Sequence, residues 1–146
     1  MRTCWIVIAV FAFTVVPASK AGDDKQKALK QLAGTWDVIK SEPKKWDPER
    51  LIFDGDKLTL TDKAGKEKKE TKVKVDPKAK PAHLDVEIRD QVWVPGLYEV
   101  TEDTLRICLY FPRLQSDLSK RPTAFKASQT EDGDVTYVIT LKRVKK

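Results

Sequence analysis

Two side chains of this sequence, Cys108 and His83, could carry nucleophilic or acid–base chemistry. A cysteine thiolate is a nucleophile, and a neighbouring histidine or carboxylate can activate it. His83 is the single histidine and alternates onto the polar positions beside Asp85, where we expect a surface role. Cys108 shares its side of an alternating stretch with Arg106 and Tyr110, where we expect a small, partly buried filler. A Cys/His-dependent enzyme is therefore the least favoured functional hypothesis.

The acidic pattern "DGD" occurs at residues 54–56 and again at 132–134, and it could suggest a calcium site. Calcium needs six or more converging oxygens, whereas this spacing is what tight hairpin turns require. A phosphate-binding loop, a dinucleotide fingerprint, a serine-nucleophile elbow and a zinc-protease motif are all missing from the sequence. We therefore expect no metal, no cofactor and no enzymatic activity.

The first residues differ in composition from the rest of the chain. Arg2 precedes an apolar run at residues 4–16, and Ser19 and Ala21 supply the small residues of a cleavage site. The run is shorter than the roughly 20 residues that cross a bilayer. The pattern predicts a signal peptide at residues 1–21 that is cleaved, with an uncleaved N-terminal anchor as the alternative.

Residues 22–146 are then predicted to form a single domain that is secreted or periplasmic. Loss of Arg2 and Lys20 lowers the net charge by two, from +6 to +4. Because acids are interspersed with the lysines, we expect no nucleic-acid partner. We also expect no stable membrane span after cleavage. Cys108 is left as a single thiol that cannot form an internal disulfide, so the hydrophobic core must hold the fold.

A short helix is predicted over residues 23–33. Asp23 can cap it, and Ala28, Leu29 and Leu32 form one apolar stripe. Gly34 follows at the position where a positive φ is often required.

After the helix, apolar and polar residues alternate with period two, most clearly in "HLDVEIR" at residues 83–89. Such alternation is typical of strands with one buried face. Shorter strands are predicted at residues 51–53 and 123–127, and tight turns at 54–55 and 132–133. We predict an all-β fold: a small antiparallel up-and-down β-barrel of eight or nine strands, preceded by one short helix.

The positions expected to face inward are mostly large, and in a barrel of this size they could fill most of the lumen. They are Trp36, Val38, Leu58, Leu60, Val73, Val75, Leu84, Val86, Ile88, Tyr98, Val100, Leu105, Ile107, Leu109, Phe125, Tyr137, Ile139 and Leu141. A shallow pocket or a solid core is therefore favoured over a deep cup.

Several apolar residues fall where loops are expected. Trp46 lies in "PKKWDPER", Trp93 and Leu97 lie in "VWVPGL", and Phe111 and Leu114 lie in "YFPRLQSDL". If these segments meet at one rim, they form an apolar patch of the kind that marks a binding site. The alternative is that the rings fold over the barrel end as part of the core.

Four stretches, "LAGTWDVIKSE", "LIFDGDKLTL", "GLYEVTEDTLRICL" and "RPTAF", resemble in order and spacing an uncharacterised lipocalin-like domain of exported planctomycete proteins. The resemblance implies a lipocalin-like (calycin) barrel and no particular activity. It also implies that Trp36, following Gly34, plugs the closed end, with Arg143 or its neighbour Lys142 packed across the ring.

Three functional hypotheses follow. The first is a non-enzymatic binding module for a small apolar molecule or peptide at the open barrel end, near Trp46, Trp93 and Phe111. The second is a filled barrel that serves as a protein-interaction or structural module of the cell envelope. The third is the enzyme that would use Cys108 or His83. The expected partner is accordingly a small apolar ligand or another protein.

Overall fold

The computed structural model describes residues 20–66, 68–114 and 118–145. Residues 1–19 of the predicted signal peptide lie outside these ranges, and the signal peptide stays a prediction. One helix, α1 (Lys20–Leu32), begins three residues before the predicted start. Ala28 and Leu32 on its apolar stripe are buried against the sheet. Within the described residues, no helix is both long and apolar enough to span a membrane.

Within the described ranges, ten β-strands follow the helix. They are β1 (Gly34–Glu42), β2 (Arg50–Asp54), β3 (Lys57–Thr61), β4 (Lys68–Asp76), β5 (His83–Arg89), β6 (Val92–Val94), β7 (Gly96–Val100), β8 (Thr104–Phe111), β9 (Ser128–Gln129) and β10 (Val135–Arg143). Strand β5 pairs with both β6 and β7, which together make one side of the barrel, while the short β9 pairs only with β10.

The sheet closes on itself because β1 pairs with β2 on one side and with β10 on the other. In this register Trp36 lies opposite Leu51 of β2 and Arg143 of β10. The result is a closed antiparallel barrel of eight strands that are neighbours in sequence order, with one short helix before it. The fold class predicted from the alternation is confirmed.

The barrel interior forms one continuous apolar cluster, which also includes residues of the helix. It contains every residue predicted to face inward except Phe125, and it adds Leu51, Phe53 and Val94. The prediction for Phe125 is wrong, because this ring packs outside the barrel against Leu97, Cys108 and Val138. Their inward-facing chain neighbours Tyr98, Ile107 and Ile139 belong to the interior cluster instead.

Two local predictions are also wrong. No strand forms over residues 123–127, where the chain makes only the two-residue β9 just beyond them. Conversely, "VWVPGL" is strand rather than loop. Gly96 explains why, since a Cβ there would lie 2.6 Å from the Cys108 carbonyl oxygen and 2.7 Å from that of Leu84. The backbone of β7 therefore passes tightly between its neighbours, which only glycine permits.

A segment that we call the outer strap, residues 118–129, covers part of the outside of the barrel. Its Phe125 and Ala127 lie over a small apolar cluster formed by Leu97, Cys108 and Val138. The strap is also fixed by Arg121, whose guanidinium donates to both carboxylate oxygens of Asp85 (2.5 and 3.1 Å) and to the Gly96 carbonyl (2.8 Å).

Candidate functional site

The helix-side end of the barrel is closed by Trp36, which is fully buried. Its Nε1–H donates to the Leu32 carbonyl at 2.8 Å, so the polar atom of the ring is satisfied by the last turn of the helix. The Arg143 guanidinium lies 4.1 Å from the ring centroid. The lipocalin resemblance implies a basic residue packed across this ring. In the structure that residue is Arg143, and its neighbour Lys142 is exposed.

Arg143 also ties three separate segments of backbone together. Its guanidinium donates to the carbonyls of Ala33 (2.7 Å), Gln31 (2.8 Å) and Glu102 (2.8 Å). Gly34 makes room for this group, because it has a φ of +120° and a Cβ there would lie 3.0 Å from a guanidinium nitrogen. The closed end is thus a packed structure with its donors paired.

The opposite end is covered by the connection between β1 and β2, residues 43–49, which carries Trp46. The Trp46 backbone N–H donates to the Ser41 hydroxyl oxygen at 2.9 Å, and that hydroxyl donates to the Lys44 carbonyl at 3.0 Å. Glu49 anchors the far side of the loop, since its N–H donates to the Thr61 carbonyl at 3.1 Å. These bonds hold the indole over the mouth of the barrel.

The Trp46 ring completes an aromatic cluster with Phe111 of β8 and Tyr137 of β10. Its centroid lies 5.6 Å from that of Phe111 and 5.0 Å from that of Tyr137, the latter edge-on. Phe111 and Tyr137 are 5.8 Å apart in a second edge-on pair. These separations are within the range in which aromatic pairs attract each other.

A cavity of about 290 Å³ lies beneath this cluster, inside the barrel. Its wall is predominantly apolar and comes from β2, β3, β5, β8 and β10 together with the Trp46 loop. The apolar lining residues are Trp46, Pro48, Leu51, Leu58, Leu60, Val86, Ile88, Ile107, Leu109, Phe111, Tyr137 and Ile139. The large inward-facing side chains therefore leave a space of this size at the Trp46 end of the barrel.

The cavity also has four charged lining residues, Lys45, Asp47, Lys69 and Glu87. Lys69 is exposed, but it lies opposite Leu60 on the neighbouring strand, on the same face of the sheet, which places it at the edge of the cavity. The Glu87 carboxylate accepts a hydrogen bond from the Gln91 N–H at 3.1 Å. Neither lysine has an ion-pair partner among the residues that the structure describes.

A second depression, of about 350 Å³, lies where β4 separates from β5 beyond the Val73–Val86 pair. Its lining is mostly charged and includes Lys57, Lys72 and Arg89. Charged walls of this kind hold water well, whereas the apolar lumen does not. We therefore take the lumen under Trp46 as the candidate binding site.

The residues predicted for the rim do not all come together. The structure joins Trp46 and Phe111, whereas Trp93 lies on the outer face with the Lys74 ammonium 3.9 Å from its ring centroid. Leu97 is buried in the cluster beneath the outer strap. Leu114 is 63% exposed and does not line the cavity.

Tyr137 and Lys69 belong to the site although they were not singled out for it from the sequence. Tyr137 was recognisable as an inward position from the alternation of β10. The face of the sheet on which Lys69 lies could have been found by extending the alternation of Val73 and Val75 backwards along β4.

The two candidate catalytic residues lie outside the barrel. His83 pairs with Leu97, and Leu97 in turn pairs with Cys108, so an apolar side chain stands between them on the outer face. Burial raises the pKa of the Cys108 thiol, although a backbone hydrogen bond from Lys126 and the charge of Arg106 act in the other direction. A buried thiol with a raised pKa is a poor nucleophile.

The described residues contain no group of three or more histidine, cysteine or acidic side chains that could hold a metal ion.

No family model matches this chain, and neither does any curated protein or solved structure with which it was compared. The eight-stranded antiparallel barrel is compatible with the lipocalin-like fold. The observations that bear on function are those of the barrel geometry.

Proposed function

We propose that this protein is a non-enzymatic binding module that takes up a small apolar molecule in the barrel interior beneath Trp46. The cavity of about 290 Å³ carries the proposal. This volume of about 290 Å³ is just below the roughly 300–1,000 Å³ typical of ligand pockets, and about twice the ~150 Å³ cavity that holds benzene in another protein.

The lining of the cavity supports its interpretation as a binding site rather than as a packing defect. Protein interiors leave few voids larger than a water molecule, because each void loses contacts for every atom around it. Here the unfilled space has a predominantly apolar wall and lies at one end of the barrel, whereas Trp36 at the other end is fully buried.

The Trp46 loop supplies a cover that can move without unfolding the barrel. Its Pro43, Lys44 and Lys45 are exposed, and Trp46 itself is only half-buried. Opening this loop would break the aromatic contacts with Phe111 and Tyr137 but none of the strand pairing.

Uptake of butylbenzene, a neutral apolar probe, tests the proposal. We expect saturable binding with one molecule per chain by isothermal titration calorimetry, with a change in tryptophan fluorescence. The substitution Leu60→Trp should block binding, since Leu60 lines the cavity and the larger ring would fill it. Ile39→Trp is the matched control, because Ile39 is 61% exposed on the outside of β1 and should leave binding unchanged.

A folded wild-type protein that takes up no butylbenzene would contradict the proposal. It would favour the second hypothesis instead, in which the barrel acts through its outer surface, where Trp93 packs against Lys74. Export by a signal peptide at residues 1–21 remains a prediction from the sequence and is independent of this test.

A further inference from the structure

We propose that the molecule bound in the barrel carries an oxygen acceptor, and that this oxygen accepts a hydrogen bond from the Trp46 Nε1–H. The inference rests on the proposed function and names the chemistry of its ligand: an apolar body with one carbonyl or carboxylate group. A plain hydrocarbon would fit the volume but would leave the donor unused.

The first observation is the state of the indole nitrogen. Trp46 Nε1 is buried and has no hydrogen-bond partner, and among the described residues it is the only buried side-chain nitrogen or oxygen in that condition. Buried polar groups are nearly always paired, so each exception calls for an explanation. Trp36 shows the ordinary case in the same molecule, with its Nε1–H bonded to the Leu32 carbonyl.

The second observation is the surroundings of that nitrogen. Trp46 lines the cavity, and its ring is flanked by the rings of Phe111 and Tyr137. The nitrogen itself has no surface open to water in this conformation, so an acceptor can reach it only when the indole tilts towards the cavity that the ring borders. We infer that a ligand oxygen makes this bond while the rest of the ligand covers the apolar wall.

The third observation is the charge at the mouth. Lys45 and Lys69 line the same cavity without an ion-pair partner among the described residues, whereas the Glu87 carboxylate is engaged by the Gln91 N–H. Asp47 and Glu87 together balance the charge of the two lysines. The mouth therefore admits either a neutral carbonyl or a carboxylate that one of the lysines can approach.

Three probes that share an apolar body test the inference: pentylbenzene, its ketone 1-phenylpentan-1-one, and 5-phenylpentanoate. In the wild-type protein, the ketone should shift the Trp46 indole N–H proton downfield in the nuclear magnetic resonance spectrum, while pentylbenzene should not. The signal is assigned by its loss in Trp46→Phe. The variant serves only for the assignment, and the shift itself is measured in the wild-type protein.

The affinities give an independent measure. A ketone loses its bonds to water on entering the cavity, so the useful quantity is the ratio of ketone to hydrocarbon affinity, compared between wild type and Trp46→Phe. We expect this ratio to fall about fivefold in the variant, as suits the loss of one hydrogen bond. Phenylalanine keeps an aromatic cover, and circular dichroism establishes that the variant is folded.

The outcomes separate the two proposals. If none of the probes binds, the proposed function fails. If pentylbenzene and the ketone both bind, but the ratio is the same in both proteins and the indole proton does not move, the present inference alone is overturned.

The carboxylate arm then identifies the acceptor. A loss of 5-phenylpentanoate affinity in Lys69→Met that the ketone does not share assigns a carboxylate. If Lys69→Met binds each of the two probes as tightly as the wild type does, the acceptor is assigned as a neutral carbonyl.

Discussion

The two ends of the barrel are each covered by a tryptophan, and the two rings are held in opposite ways. Trp36 is fully buried, its Nε1–H is bonded to the Leu32 carbonyl, and the Arg143 guanidinium lies on its face. Trp46 is half-buried on a loop, its Nε1 has no partner, and a cavity of about 290 Å³ lies beneath it.

The Trp36 ring thus has its donor paired and its face covered, whereas the Trp46 ring has an unpaired donor and borders an apolar space. We propose that the first ring serves stability and that the second serves binding. The predictions below test whether the two ends differ in this sense.

The largest effect is expected for the tryptophans themselves. Trp36→Ala should lower the free energy of unfolding by about 3–5 kcal/mol, because it leaves a large cavity in a packed region. Trp46→Ala should cost on the order of 1 kcal/mol, since the ring is partly exposed and already borders empty space. Urea denaturation of both variants measures the difference. Equal losses would mean that both rings are structural.

A smaller effect is expected for Arg143. Replacing it by alanine removes one cation–π contact and three hydrogen bonds to carbonyls, so the protein should lose about 2 kcal/mol of stability. Arg143→Lys should lie in between, because one ammonium cannot reach three carbonyls from the same position. The matched control Lys142→Ala, next in the chain and exposed, should change stability by less than about 0.5 kcal/mol.

If Arg143→Ala were as mild as Lys142→Ala, the closed end would depend on the packing of Trp36 alone. Comparing apolar probe uptake in the same variants extends the test. We expect Arg143→Ala to bind butylbenzene as the wild type does, because the substitution lies at the opposite end from the cavity.

The smallest effect is expected for the pH dependence of stability, through Asp134 near the open end of the barrel. The Arg113 backbone N–H (2.9 Å) and the Tyr110 hydroxyl (3.0 Å) both donate to Asp134, and these bonds hold the pKa of its carboxyl below the ordinary 3.8. A lowered pKa in the folded state stabilises the fold above about pH 4. This contribution is lost as the pH falls through the folded-state pKa.

Asp134→Asn should therefore be less stable than wild type at pH 6, and the difference should shrink towards pH 2. Urea denaturation at several pH values measures it, with Asp132→Asn as the neighbouring control. Asp134 precedes Val135, which pairs with Phe111 at the cavity mouth, so the acid-sensitive contact lies at the open end. A difference that stays constant with pH would show that the carboxylate charge is not what stabilises this connection.

Much of the barrel could be predicted from alternation, because a strand with one buried face repeats every two residues whatever its neighbours are. The same rule placed Tyr137 and Ile139 inside. It failed where the local pattern is ambiguous. A loop was predicted around Trp93 and Leu97, but Gly96 is required by the approach of two neighbouring strands, which a single segment does not reveal.

The site was less predictable than the fold. Trp46 and Phe111 could be picked out as apolar residues near loops, but Trp93 and Leu97 have the same appearance in the sequence and face the outside. The cavity itself depends on how apolar side chains from five strands meet with Lys69 of β4 and with the Trp46 loop. A list of inward residues gives their types but not the space left between them.

The outer strap has a practical consequence. Cys108 lies beneath it with no exposed surface, its Sγ 3.6 Å from the Ala124 carbonyl oxygen. A thiol-specific dye can reach this sulfur only when the strap lifts, so in a chain that lacks Cys4 the labelling rate measures that local opening. The chain thus carries a built-in reporter, which would register strap detachment separately from events at either barrel end.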